Sequence, residues 1–129
     1  MRGWLLDTHT LLWAAHSPHM LSGEVRRILE ELENDVFASP VSAIEISTKD
    51  RRGQLEFATS LAHDFSSQVS AQGFTHLPIT AEHAQLAGSF IQPHKDPWDR
   101  LLAAQAIVEE LTLLTRDHQV ASFGATTLW

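Results

Sequence analysis

Asp7, Glu45, Asp99 and Asp117 are the residues of this chain whose type and placement could support chemistry. Asp7 closes the apolar stretch "GWLLD", and Asp117 follows "LTLLT" by two residues. Glu45 lies one to two turns into the segment after "VFAS". Asp99 falls in the first turn of a helix opened by "HKDPWDRLLAAQA", whose continuation is almost wholly apolar. Carboxylates gathered at one place repel. Two unit charges about 5 Å apart, at an effective dielectric of about 20, cost roughly 3 kcal/mol. A hard divalent cation removes that cost. Mg²⁺ takes oxygen ligands, keeps several waters and is held by one or two direct carboxylates; Mn²⁺ suits the same donors. Held between carboxylates and phosphate, such an ion can turn water into a nucleophile. The expected direct ligands are Asp7 and Asp99, with Glu45 and Asp117 completing the site through water or a second ion.

Each acid has an ordinary alternative. Asp7 can cap the helix after it, and Asp99 can complement a helix dipole. Ser42-x-x-Glu45 matches a capping box, and Asp117 suits a turn. Asp96, directly before Pro97, is read as an N-cap and nothing more. His9 and His94 point toward the site, with packing or surface roles rather than ligation. Glycine-rich phosphate loops, His-x-x-x-His pairs and Gly-x-Ser-x-Gly elbows are absent from the sequence.

The elements that would position these acids alternate. Short apolar strands are expected at "GWLLD", "VFAS", "FTHLPI", "LTLLT" and "TTLW". Helices are expected over "THTLLWAAH", "SGEVRRILEELEND", "VSAIEISTKDRR", "ATSLAHDFSSQVSAQG", "TAEHAQLAGSFI" and the segment after Asp96, with a loop and short helix over "RDHQVASF". Helix stops fall near Gly53 and Gly73. This alternation predicts an α/β fold whose parallel sheet carries helices on both faces. In such sheets ligands sit outside the carboxyl ends of the strands. Asp7 and Asp117 end strands there, and helices that return to start parallel strands begin there too. Four distant acids can therefore converge on one crevice.

The chain has 129 residues, which suits a single domain, 1–129. It contains no cysteine, so disulfides and thiolate metal sites are excluded. No run of eighteen apolar residues is present and the N-terminus lacks a signal-peptide pattern, so a cytoplasmic protein without a membrane span is expected. Net charge is −7, which argues against unspecific coating of nucleic acid but not against a local site. Lys49, Arg52, Arg100 and Arg116 are near the acids in sequence and could engage a phosphate backbone. Trp4, Trp13 and Trp129 suit either a core or a dimer surface.

"LLDTHTLLW", "VSAIEI" with "STKDRRGQL", "HKDPWDRLLAAQA" and "LLTRD", in that order, resemble the PIN-domain fold. They are similar in particular to VapC-type toxin ribonucleases of bacterial toxin–antitoxin pairs. The resemblance covers nearly the whole chain and places the family's four acids on Asp7, Glu45, Asp99 and Asp117. Ile44 and Trp98 stand where close relatives often carry Trp and Phe. The resemblance implies a three-layer α/β/α fold with strand order 3-2-1-4-5. It also implies a Mg²⁺- or Mn²⁺-dependent endoribonuclease, a homodimer, and a cognate antitoxin as partner. Two rivals stay open on the residues alone: a phospho-accepting signalling domain, and a non-catalytic binding module whose acids act as caps.

Overall fold

A computed structural model describes residues 3–56, 60–93 and 96–129; His94 lies outside them. Five short parallel strands form one sheet: β1 (Trp4–Leu6), β2 (Val36–Ala38), β3 (Thr75–His76), β4 (Thr112–Leu114) and β5 (Thr127–Leu128). Their order is β3-β2-β1-β4-β5, as expected, and each neighbouring pair is parallel. The helices are α1 (Thr8–His16), α2 (Gly23–Glu30), α3 (Pro40–Arg51), α4 (Ser60–His63), α5 (Phe65–Ala71), α6 (Ala81–Ser89) and α7 (Pro97–Val108). Three-residue and six-residue 3-10 turns cover Pro18–Met20 and His118–Phe123. No helix among the described residues is long and apolar enough to cross a membrane.

The strands have no strict apolar–polar alternation because both faces of the sheet are covered. Leu5, Phe37 and Leu113 enter one core with Leu102, Ala103 and Ala106 of α7. Leu6, Val36, Ala38 and Leu114 enter the other, with Leu11 of α1, Val25 of α2 and Ile46 of α3. The pleat thus sends successive residues of one strand into different cores. Burying each such leucine contributes about 1.5–3 kcal/mol. Trp4, Trp13 and Trp129 are partly buried against the second core.

Local chemistry sets the helix ends. Ser22, Ser39, Thr80 and Asp96 each accept a backbone N–H of the first turn. Gly53, with φ +68°, follows the end of α3 in the left-handed region that side chains avoid. Gly3 is required for another reason: a Cβ there would stand 2.9 Å from the Asp35 carbonyl oxygen. Two expectations need correction. The segment after residue 58 is not one helix, because it breaks at Asp64 (φ −147°) into α4 and α5. Its apolar face survives the break, since Leu61 and Val69 are still buried and Ala62 and Phe65 pack against them; Ala58 lies outside the described residues. The helix over "SGEVRRILEELEND" ends at Glu30, so Leu32 is left 95% exposed instead of joining the apolar face.

Candidate metal and phosphate site

The site is built from hydroxyls as much as from acids. Asp7 follows β1 and caps α1, its Oδ1 accepting the Thr10 N–H at 2.8 Å. Its other oxygen accepts the Thr115 hydroxyl at 2.5 Å. Thr115 is buried and itself accepts the Asp117 N–H at 3.0 Å. The Asp7 N–H donates to the Leu114 carbonyl at 3.2 Å, and the Thr10 hydroxyl donates to the same carbonyl at 2.9 Å. These bonds stitch the carboxyl end of β1 to that of β4. Asp7 therefore caps a helix, as its ordinary reading has it, and also stands at the seam between two parallel strands.

Glu45 does not close a capping box. Ser39, not Ser42, is the N-cap of α3, and its Oγ accepts the Val41 N–H at 3.0 Å. The Glu45 carboxylate instead accepts the Thr8 hydroxyl at 2.6 Å, and that hydroxyl lies 3.0 Å from Ser42 Oγ. Thr8 and Ser42 are both buried. Burial pushes the Glu45 carboxyl above its ordinary range; the Thr8 hydrogen bond and the Lys49 charge oppose this, while Asp96 and Asp7 add to it. Three acids from α3, the cap of α7 and the cap of α1 thus share one electrostatic neighbourhood. Asp96 is a helix cap, with Oδ1 accepting the Trp98 N–H at 2.9 Å, yet its charge also reaches Glu45.

Asp117 is exposed and caps the 3-10 turn after β4, accepting the Gln119 N–H at 2.9 Å. His9 joins it to Asp7. Burial and the Lys49 charge hold the His9 imidazole below its ordinary value, while Asp7 and Asp117 pull the other way. A neutral His9 Nε2 can accept from Lys49 Nζ, 3.5 Å away. Asp99 is half-buried in the first turn of α7, three residues past the Asp96 cap. α7 packs on α3, the helix that carries Glu45.

Among the described residues, no three carboxylate or imidazole groups lie close enough to cage an ion unaided. The donor set fits a hard cation that keeps its waters. Each Asp7 oxygen accepts one hydrogen bond from the groups above and retains a lone pair, and a cation would favour the ionised form of Glu45 that burial, with Asp96 and Asp7, opposes.

The four basic residues divide. Lys49 stands within the acid neighbourhood. Arg52 and Arg116 are exposed. Arg100 is turned inward: its guanidinium donates to the carbonyls of Phe90, at 2.8 Å, and Gln92, and lies 5.4 Å from the Phe123 ring centroid. That geometry makes it a clamp on the chain between α6 and α7 and takes it out of the set expected to grip phosphate. Sequence reasoning passed over Thr8 and Thr115, the hydroxyls that orient the acids, and read Ser42 as the capping partner of Glu45 where the structure pairs it with Thr8. The one signal available was adjacency, in "DTHT" and "TRD".

The PIN domain profile matches residues 4–125. No curated protein sequence matches the chain. Three solved structures share the fold over nearly their full lengths. VapBC2 from Rickettsia felis, solved bound to a DNA fragment from its promoter, is 15% identical, with TM-score 0.64 over 99% of this chain and 98% of that one. A toxin–antitoxin complex from Klebsiella pneumoniae is 16% identical, with TM-score 0.65 over 98% and 97%. FitAcB from Neisseria gonorrhoeae is 18% identical, with TM-score 0.64 over 98% and 96%.

Proposed function

The chain belongs to the PIN domain family, and from that premise we propose that it is a metal-dependent endoribonuclease of VapC type, the toxin of a toxin–antitoxin pair. The observation that carries this reading is the seam at the carboxyl ends of β1 and β4, where the Thr10 N–H and the Thr115 hydroxyl hold the Asp7 carboxylate and Thr8, next to Asp7 in the chain, holds Glu45 of α3. In this reading Asp7 and Asp99 hold Mg²⁺ or Mn²⁺ directly, and Glu45 and Asp117 act through water or a second ion. The chemistry such an ion supplies is activation of water and neutralisation of charge on phosphate oxygens.

The chain's own groups prepare that chemistry. Thr115 and the Thr10 N–H fix the Asp7 carboxylate from two sides, so its remaining lone pairs point in set directions. Thr8 does the same for one Glu45 oxygen. Glu45, made more basic chiefly by burial, is a fitting acceptor for a proton from water. Lys49, Arg52 and Arg116 contact the strand's phosphates, which reconciles net charge −7 with a polyanionic substrate. The solved neighbours described as toxin–antitoxin complexes support a protein antitoxin as partner, and a homodimer is proposed on the family resemblance.

The test is cleavage of a structured RNA panel with and without Mg²⁺ or Mn²⁺. Cutting should require the ion and should disappear in Asp7→Asn and Asp99→Asn, each still folded by circular dichroism. Ion-dependent cutting that persists in both purified variants removes the assignment.

A further inference from the structure

Beside the acidic site lies a cleft of about 580 Å³, lined among others by Leu12, Trp13, Met20, Lys49, Gln54 and Leu55. Its size falls within the roughly 300–1,000 Å³ usual for small-molecule sites. Lys49 belongs to both places. It lines the cleft, and its ammonium approaches His9 and acts on the Glu45 carboxyl. Trp13 is half-buried and fixed between neighbours: its ring centroid is 5.6 Å from that of His9 and 5.6 Å from that of Trp129, the latter in an edge contact. A rigid indole in such a position is a ready stacking surface. Leu12, Met20 and Leu55 give the lining apolar surface, and Ser17, His19, Gln54 and Glu56 give it donors and acceptors.

We propose that this cleft receives one unpaired nucleobase of a single-stranded nucleic acid whose neighbouring phosphate lies at the acidic edge, with the base stacked against Trp13 and Lys49 between base and carboxylates. A base has two apolar faces and a hydrogen-bonding rim, which matches apolar surface with Gln54 and Glu56 beside it. A paired base is stacked on both sides and cannot enter, so the cleft selects single strands. The proposal rests on the nuclease reading for the identity of the ligand, but not for its test.

The test is anisotropy titration of the full chain with short labelled strands of RNA and DNA, with and without Mg²⁺, strand integrity being checked after each titration. Trp13→Ala should weaken single-strand binding by about 5- to 150-fold, the range for losing one base–aromatic stack, while Trp13→Phe stays closer to the unsubstituted chain. A single abasic site moved along the strand should reproduce that loss at one position, and should add nothing in Trp13→Ala. Should Trp13→Ala unfold, Leu55→Glu on the same lining carries the same expectation. Comparing the RNA and DNA arms shows whether the sugar is read along with the base. Unchanged affinity in folded Trp13→Ala or Leu55→Glu, equal binding of duplex and single strand, or loss at no abasic position overturns the cleft. Cleavage is read separately. A chain that binds as expected but cuts nothing with Mg²⁺ or Mn²⁺ sinks the nuclease reading and keeps the cleft, whereas normal cutting with unchanged binding in the variants does the reverse.

Discussion

Where the first turn of α6 meets the end of α7, His83 is fully buried and both of its ring nitrogens are used. Nδ1 accepts the Thr80 N–H at 3.0 Å, which completes a capping box, and Nε2 donates to Glu109 at 2.7 Å. Arg100 nearby in sequence spends its donors on the carbonyls of Phe90 and Gln92. Every bond there joins a donor to an acceptor or opposite charges. At the carboxyl ends of β1 and β4 the partners are also well placed, yet like charges gather there: Asp7 and Asp96 both act against ionisation of Glu45, with Lys49 the opposing charge. The first cluster needs nothing further to be stable. The second is held in place by hydroxyls and keeps an acid whose ionisation burial and like charge oppose. Buried polar groups thus separate into those that close the fold and those that the fold holds ready.

The sharpest break of this comparison is expected at Asp7. Asp7→Asn keeps a capping side chain for α1, so thermal unfolding should change little, while RNA cleavage falls by roughly 100-fold or more. Equal losses of stability and activity would erase the distinction between the two clusters. His83→Ala should do the opposite. It empties the space of a fully buried ring and removes the hydrogen bonds to the half-buried Glu109 carboxylate and from the Thr80 N–H, each worth roughly 0.5–1.5 kcal/mol, so denaturant titration should show a clear loss of stability with cleavage per folded molecule retained. Thr8→Val removes the hydroxyl that holds Glu45. A loss of about 10- to 100-fold in Mg²⁺ affinity or in cleavage is expected, measurable by calorimetry and by rate.

The smallest effect concerns charge alone. The Glu45 carboxyl is raised in the folded chain, so ionising it costs more folded than unfolded. Below the ordinary value of 4.5 both states are protonated and no penalty exists; as pH rises through the folded value the penalty is established. Glu45→Gln still accepts the Thr8 hydroxyl. In the absence of metal it should melt higher near pH 7, by on the order of 3 °C, and this gain should vanish near pH 4. A gain that is the same at both pH values would show that ionisation is not what burdens Glu45.

Much of the fold was legible because its signals are local. Proline after Ser39 and Asp96 marked two helix starts, and α1 spans the expected "THTLLWAAH". Short apolar strands alternating with helices indicated a parallel sheet, and the family resemblance supplied its order. The errors arose where tertiary contact overrides periodicity. The face shared by Leu61 and Val69 looks continuous in sequence, but the backbone turns at Asp64 to lay two short helices on the core. The acids could be chosen by their places at the strand ends. Their supports could not, since Thr8, Ser42 and Thr115 are common residues whose value appears only once strands from opposite ends of the chain are side by side.

By itself the sequence determined where the chain caps, turns and becomes apolar, since those choices depend on a residue and its few neighbours. It also determined which acids lie at element ends. Only the tertiary structure decided that Glu45 bonds to Thr8 and not back to Ser42, and that Arg100 grips carbonyls and Lys49 the acid site. The physical reason is that hydrogen bonds and charge fields act over a few ångströms of space, and residues thirty or a hundred positions apart come within that reach only when the sheet has formed.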